Sequence, residues 1–214
     1  HAILPFKYVD HTHADAVVTI SNTSNGEEKI RKIYGERVVV VPYVMPGFDL
    51  AKEVLKLFDL HSTEKTEGIV LLSHGVFTFG DTALQSYERM INLVDSAENY
   101  LINQNAWEIK NKNFVEVPKK LRNQVSQLRK QISKVFGSPV LLNLTNSQLG
   151  LNFSNRPDIK SISTRGPLTP DHVIRTKQKP LLLNLQQWQD HDMLREEILQ
   201  ALDVYCETYH QYFE

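Results

Sequence analysis

The sequence predicts a mixed α/β protein in which helices cover a sheet. Two features carry that expectation. Short β-branched runs alternate with longer runs whose apolar residues recur at intervals of three and four. Proline, glycine and small polar residues cluster at the junctions between them.

Taken in order, "AVVTIS" (Ala16 to Ser21) reads as a strand, and "SNTSNGEE" after it as a turn and loop. "RVVVVPYV" (Arg37 to Val44) reads as a buried strand that Pro42 confines to an edge or ends. In "PGFDLAKEVLKLFDLH", Pro46 and Gly47 break the chain and Asp49 can cap a helix. Leu50, Val54, Leu55 and Phe58 then fall at helical spacing. "GIVLLSHG" (Gly68 to Gly75) is a glycine-bounded apolar run and reads as a buried strand. Asp81 can cap the next helix, where Leu84, Tyr87, Ile91, Val94 and Leu101 form one apolar stripe. "VPKKLRNQVSQLRKQISKVFG" predicts another helix, with Pro118 near its start and Gly137 after its end. "PVLLNLT" (Pro139 to Thr145) reads as a strand. From Gly150 to Pro180 the chain is irregular, with only short strand-like pieces, and long stretches of this kind are often functional. "MLREEILQALDVYCETYHQYFE" closes the chain as a helix.

Composition narrows the classes. The chain has 214 residues, 41% apolar and 23% charged, with a formal net charge of −1. That length suits one domain, or one domain with an extension. The near balance of acidic and basic residues gives no nucleic-acid footprint. Cys206 is the single cysteine, so no internal disulfide forms, and a reducing compartment is expected. No apolar run approaches the ~20 residues of a membrane span, and no signal peptide is visible. A cytoplasmic protein with no membrane partner is therefore expected. Because the chain begins at His1 rather than Met, it is expected to be a piece of a longer protein.

"YVDHTHADAVVTI" carries the first chemical signal. If "VDHTH" is extended, His11 and His13 point to one face, because side chains alternate along a strand. Two imidazoles so placed can chelate a divalent cation, but two ligands make a weak site. His74 is the natural third, since it stands where "IVLLS" meets a glycine at a strand end. Asp10 and Asp15 can orient the rings from behind. On these residues alone two readings stand: a polar surface loop, or part of a metal site. The remaining histidines, His61, His172, His191 and His210, read as surface or polar-network residues. "TRGPLTPDHVIRTK" gathers Arg165, His172, Arg175 and Lys177 in a proline-braced stretch. It is either a solvated loop or a phosphate-binding segment, for which arginine is well suited.

Together the segments "DHTHADAVVTISN", "VVVVPYVMPGFDLAKEV" and "GIVLLSHGVFTFGDTALQSYERMINLVDSAENYL" resemble the class II aldolase/adducin family. Within it, "DHTHADA" and "STRGPLTPDHVIRTK" are most similar to the aldolase half of bifunctional rhamnulose-1-phosphate aldolase/alcohol dehydrogenases. The core resemblance runs from Tyr8 to Leu101, and the subfamily resemblance extends it toward Lys177. It implies a three-layer α/β/α fold with a central, largely antiparallel sheet, incomplete at the N-terminus. Residues 1–136 would be its core, and residues 137–214 a C-terminal extension of the same domain.

The resemblance also implies Zn²⁺, or another divalent metal, held by His11, His13 and His74. The implied reaction cleaves a ketose 1-phosphate to dihydroxyacetone phosphate and an aldehyde through a metal-stabilised enediolate. Arg165, His172, Arg175 and Lys177 are the substrate-binding candidates. The family's acid/base glutamate lies about twenty residues before the first metal histidine, which here falls ahead of His1, so no catalytic carboxylate is assigned. For that reason the chain alone is expected to be a poor catalyst. Glu36, Glu64 and Glu98 have no assigned role, and Tyr34 and Tyr43 read as core residues. A homo-oligomer, tetrameric in the family, and a dehydrogenase half after Glu214 are further expectations, although no G-x-G-x-x-G turn occurs here. Two other readings remain: a dehydratase or epimerase of the same superfamily, and an adducin-like interaction module. Retention of the three histidines argues against the latter.

Overall fold

The computed structural model describes residues 2–108, 121–145, 147–183 and 191–214. It divides into two compact units: His1–Glu108 with Pro167–Thr176, and Ile109–Gly166 with Lys177–Glu214. The first unit contains β1 (Tyr8–Thr12), α1 (Asp15–Ser21), α2 (Gly26–Tyr34), β2 (Val38–Val41) and α3 (Phe48–His61), followed by β3 (Gly68–Leu71), β4 (Gly75–Gly80) and α4 (Ala83–Asn103). Then come α5 (Leu121–Phe136), α6 (Gln148–Ser154), α7 (Ile159–Ser163), α8 (Pro170–Arg175) and α9 (His191–Gln211). Of these, only α8 belongs to the first unit.

The four strands form one sheet in the order β1-β4-β3-β2. β4 pairs antiparallel with both β1 and β3, and β2 pairs parallel with β3. The sheet is therefore largely antiparallel, as expected. Strand alternation sorts its side chains into two cores. Val38, Val40, Val70 and Val76 face α1, α2 and α4, where they meet Ile20, Ile30 and Leu93. Val39, Val41, Ile69, Leu71 and Phe79 face α3 and meet Val54 and Phe58. This is the three-layer α/β/α arrangement. It also explains why β2 reads "VVVV" rather than alternating, since a strand covered on both faces has no polar side.

Several local expectations are corrected. "AVVTIS" is helix α1, not a strand. Ala16, Val17, Val18, Ile20 and Ser21 are all buried, so the segment is apolar nearly all round, and such a run has no period to distinguish it from a strand. Beyond the "SNTS" turn, α2 begins at Gly26, inside the stretch read as loop. β4, "GVFTFG", went unread. "PVLLNLT" has no strand partner among the described residues, and its Val140 instead accepts from Arg129 and donates to Ser133 of α5. The irregular stretch holds three short helices, α6, α7 and α8. Gly137 ends α5 with φ 73, a left-handed turn that glycine adopts without strain. Pro118 lies outside the described residues.

The predicted stripe on α4 is displaced. Ser86, Met90, Leu93, Ala97 and Leu101 are buried, whereas Leu84, Tyr87 and Ile91 are exposed. Ser86 and Ala97 are small, which lets α4 approach the sheet, and the Ser86 carbonyl accepts from Thr78 of β4 at 2.9 Å. The helix is capped by Thr82, whose hydroxyl accepts from the Gln85 N–H, rather than by Asp81. In the second unit, Ile198 and Leu202 of α9 pack against Leu128, Ile132 and Leu181. Among the described residues, no helix is long and apolar enough to cross a membrane.

The placement of α4 is testable. Leu93→Ala should lower unfolding stability by about 2–5 kcal/mol in urea titrations, whereas Ile91→Ala should change it by about 0.5 kcal/mol or less. The reverse order would return the buried face to the stripe read from hydropathy.

Candidate metal centre

Three short backbone features bring the histidines together. β1 lies antiparallel on β4 with His11 opposite Phe77, and the His11 ring stacks on the Phe77 ring with centroids 4.0 Å apart. His13 follows directly after the end of β1. His74 stands in the hairpin between β3 and β4. That hairpin is tight: Ser73 adopts φ 56, in the left-handed region. It is held from both sides. The Leu72 N–H donates to Val41 O at 2.9 Å, and the Ser73 N–H donates to the Ser21 hydroxyl at the end of α1, at 3.2 Å.

Gly75 makes the close approach possible. A Cβ there would lie 2.5 Å from Thr12 O, and 3.1 Å from carbons of both the His11 and His13 rings. The glycine beside His74 is thus required chiefly by the close β1 backbone, with the two rings also near, and not by its own dihedral angles.

The hydrogen bonds choose the tautomers. His11 Nδ1 lies 3.0 Å from Val76 O, and His13 Nδ1 lies 2.9 Å from Asp171 Oδ2. A carbonyl and a carboxylate only accept, so both Nδ1 atoms carry the proton. Each Nε2 is then left with a lone pair in the neutral ring, and the two Nε2 atoms face each other at 3.2 Å. Two lone pairs at that distance repel unless a proton or a cation lies between them. Two nitrogens bound to a tetrahedral zinc, each at about 2.0–2.1 Å, are about 3.3 Å apart. The observed spacing would suit two ligands of one cation.

His74 completes the set. One ligand atom from each of the three residues lies within 4.8 Å of the others. Such a triangle puts every atom within about 2.8 Å of a common point, so the rings need move less than about 1 Å to reach zinc bonding distance. The Nδ1 of His74 is buried without a hydrogen-bond partner, as expected where the protein does not itself complete a ring's polar atoms. Among the described residues this is the one such cluster. Burial lowers the His11 pKa from 6.5 to about 4, with smaller contributions from His13 and His74 in the same direction. Burial, then His13, also lowers that of His74. Neutral rings are the form that binds metal.

Residues 1–101 match the class II aldolase and adducin N-terminal domain, and residues 114–214 match the second domain of class II aldolase. The chain belongs to the class II aldolase/adducin family. It is 31% identical over its whole length to YuxG of Bacillus subtilis, named as an uncharacterized oxidoreductase, and spans 32% of that protein. It thus covers about a third of the curated relative it matches. A class II aldolase domain from Thermoplasma acidophilum is 50% identical over 47% of this chain and 45% of that one, with TM-score 0.43. A sugar-phosphate aldolase from Thermotoga maritima is 23% identical over 45% of each chain, with TM-score 0.36. The family assignment rests on the two domain matches, not on these partial overlays.

The other candidate residues of this family member are distributed as follows. Asp10 and Asp15 are exposed, and the carboxylate that reaches a ring is Asp171 of α8. Sequence spacing gave no sign of it, although it sits in the segment singled out for its basic residues. His172 and Arg175 share α8 with it, and Thr169 Oγ1 lies 3.2 Å from His172 Nδ1. Arg165 and Lys177 belong to the second unit, where the Lys177 ammonium lies 3.8 Å from the Tyr209 ring centroid. Glu36 pairs with Lys65 at 2.8 Å on the surface. Tyr34 is a core residue whose hydroxyl donates to Leu93 O, and burial raises its pKa. Tyr43, expected in the core, is exposed. The second unit holds a cavity of about 650 Å³ beside Tyr205, Tyr209 and Tyr212, with no histidine or cysteine in its lining.

Two outcomes are expected. Gly75→Ala should weaken Zn²⁺ binding at least about tenfold in a chelator competition, because the added carbon must displace β1 or a ring. Unchanged affinity would show that β1 has room to spare. The second concerns pH. Between pH 6.5 and about 4 the unfolded chain binds a proton at His11 that the folded chain refuses. Stability contributed by neutral His11 is whole above pH 6.5 and is lost as pH falls toward 4. Urea midpoints of the metal-free protein should fall across that window, and more shallowly in His11→Gln.

Proposed function

We propose that this chain is the metal-dependent lyase part of an enzyme that cleaves a ketose 1-phosphate, of the rhamnulose 1-phosphate type. The products are dihydroxyacetone phosphate and an aldehyde. The observation that carries this reading is the convergence of His11, His13 and His74, with the Nδ1 protons of His11 and His13 taken up by acceptors so that their Nε2 atoms suit a cation. His11, His13 and His74 would hold Zn²⁺ or another divalent cation, which would supply Lewis acidity toward substrate oxygens and toward developing negative charge.

The chain's own residues hold that arrangement. Phe77 and the Val76 carbonyl fix the His11 ring, and the Ser21–Ser73 hydrogen bond fixes the hairpin that carries His74. Asp171 Oδ2 accepts from the His13 Nδ1–H. For the substrate phosphate we retain Arg165, His172, Arg175 and Lys177. Support is best for His172 and Arg175, which share α8 with Asp171 in the unit of the metal cluster. The Bacillus relative is named an oxidoreductase, and this chain aligns with 32% of it. We therefore place any redox activity in the part of such proteins that this chain does not span, in keeping with a fused dehydrogenase half.

The test is direct. The full-length protein should carry about one equivalent of divalent metal and release dihydroxyacetone phosphate from L-rhamnulose 1-phosphate. His11→Ala, His13→Ala and His74→Ala should each lose the metal and at least about 10²-fold in kcat/KM. Cleavage that persists after chelation, or after loss of a histidine, would refute the metal-dependent reading. Turnover of a different sugar phosphate without cleavage would leave the metal site and remove the aldolase assignment.

A further inference from the structure

Asp171 is the feature that neither the domain matches nor the ligand set accounts for. It lies 158 residues from His13 in sequence, yet its Oδ2 stands 2.9 Å from His13 Nδ1. The three histidines fall in the segment matched to the N-terminal domain, and Asp171 falls in the segment matched to the second domain. Nevertheless Pro167–Thr176 packs as part of the first unit, leaving the chain stretch on either side of it in the second. The segment is braced for that position. Proline opens α8, Thr169 is buried just before it, and the Thr176 N–H donates to His172 O at 2.8 Å to close it. Asp171 therefore stands in the first turn of a small, pinned helix, with its carboxylate on the ring.

We propose that Asp171 is a positioning residue for the metal centre. By accepting from His13 Nδ1, it holds the ring in the tautomer that leaves Nε2 free as a ligand, so the second-domain segment completes the first domain's metal site. This rests on the reading that the three histidines bind a divalent cation. His11 shows why the device is needed. Its Nδ1 proton is taken by a backbone carbonyl of its neighbouring strand, whereas His13 lies past the end of β1 and is anchored by a side chain brought from elsewhere. An acceptor behind a metal-bound imidazole fixes ring orientation and raises ligand basicity, and its loss typically costs about 10–100-fold in metal affinity.

The experiment is a Zn²⁺ competition titration against a chromophoric chelator, with the Co²⁺ absorption spectrum as a second readout. It compares wild type, His74→Ala, Asp171→Ala, Asp171→Asn and Asp171→Glu. Asp171→Ala should bind Zn²⁺ about 10–100-fold more weakly, with an altered Co²⁺ spectrum and an unchanged melting curve for the metal-free protein. Asp171→Asn keeps the size but can turn its amide to donate to Nδ1, which moves the ring proton to Nε2. If it accepts through its carbonyl instead, it is a neutral and weaker partner, so it should bind Zn²⁺ more weakly than wild type, and it decides the matter if alanine unfolds the protein. Asp171→Glu should recover part of the affinity. Wild-type binding with the alanine variant within about twofold of it, or with the asparagine variant within that range if alanine unfolds the protein, would overturn the role of Asp171 alone, leaving the metal reading intact. No binding by wild type, or binding that His74→Ala does not weaken, would overturn both.

Discussion

The site depends on one pairing, β1 laid antiparallel on β4. That register puts His11 over Phe77 and delivers Val76 O to its Nδ1. It also leaves His13 just beyond the strand end, beside the hairpin that bears His74. A shift of the register by one residue would turn His11 to the other face of the sheet and dissolve the cluster. Gly75 enforces the same pairing at close quarters, because no other side chain leaves room for Thr12 O and both rings.

The cost of this arrangement is two half-buried imidazoles, His11 and His74, whose protonated forms are disfavoured by desolvation. Pairs of facing nitrogens at 3.2 Å do not stabilise a metal-free fold unless they share a proton. The surrounding hydrogen bonds nevertheless hold them there. Carbonyl, carboxylate and stacked ring act from behind, and the Nε2 atoms of His11 and His13 face each other in front. This is preorganisation for a cation, with the first unit's two cores supplying the rigidity that keeps ring positions within bonding reach.

Legibility varied with how local the deciding interaction was. The strands β2 and β3 and the helices α3, α5 and α9 were visible in their periodicity and punctuation. The pairing of His11 with His13 was visible because a strand repeats every two residues. The helix α1 was not, since a segment buried on nearly every side has no polar face to reveal its period. The α4 face was misplaced because its contacts use Ser86 and Ala97, which hydropathy ignores, while Tyr87 and Ile91 stay in solvent. Asp171 was hidden because nothing in its neighbourhood in sequence refers to a ring 158 residues away.

By itself the sequence determined the fold class and the identity of three metal-ligand candidates, since both follow from short-range periodicity and from which side chains carry lone pairs suited to a cation. The resemblance of its motifs added the family. Only the tertiary structure decided that the three rings meet, which tautomers His11 and His13 hold, and that a carboxylate from the second-domain segment stands behind one of them. The physical reason is that periodicity fixes which way a residue faces along its own element. The distance between elements is fixed by sheet register, by close approach at a glycine and by packed cores, and these exist only once the chain has folded.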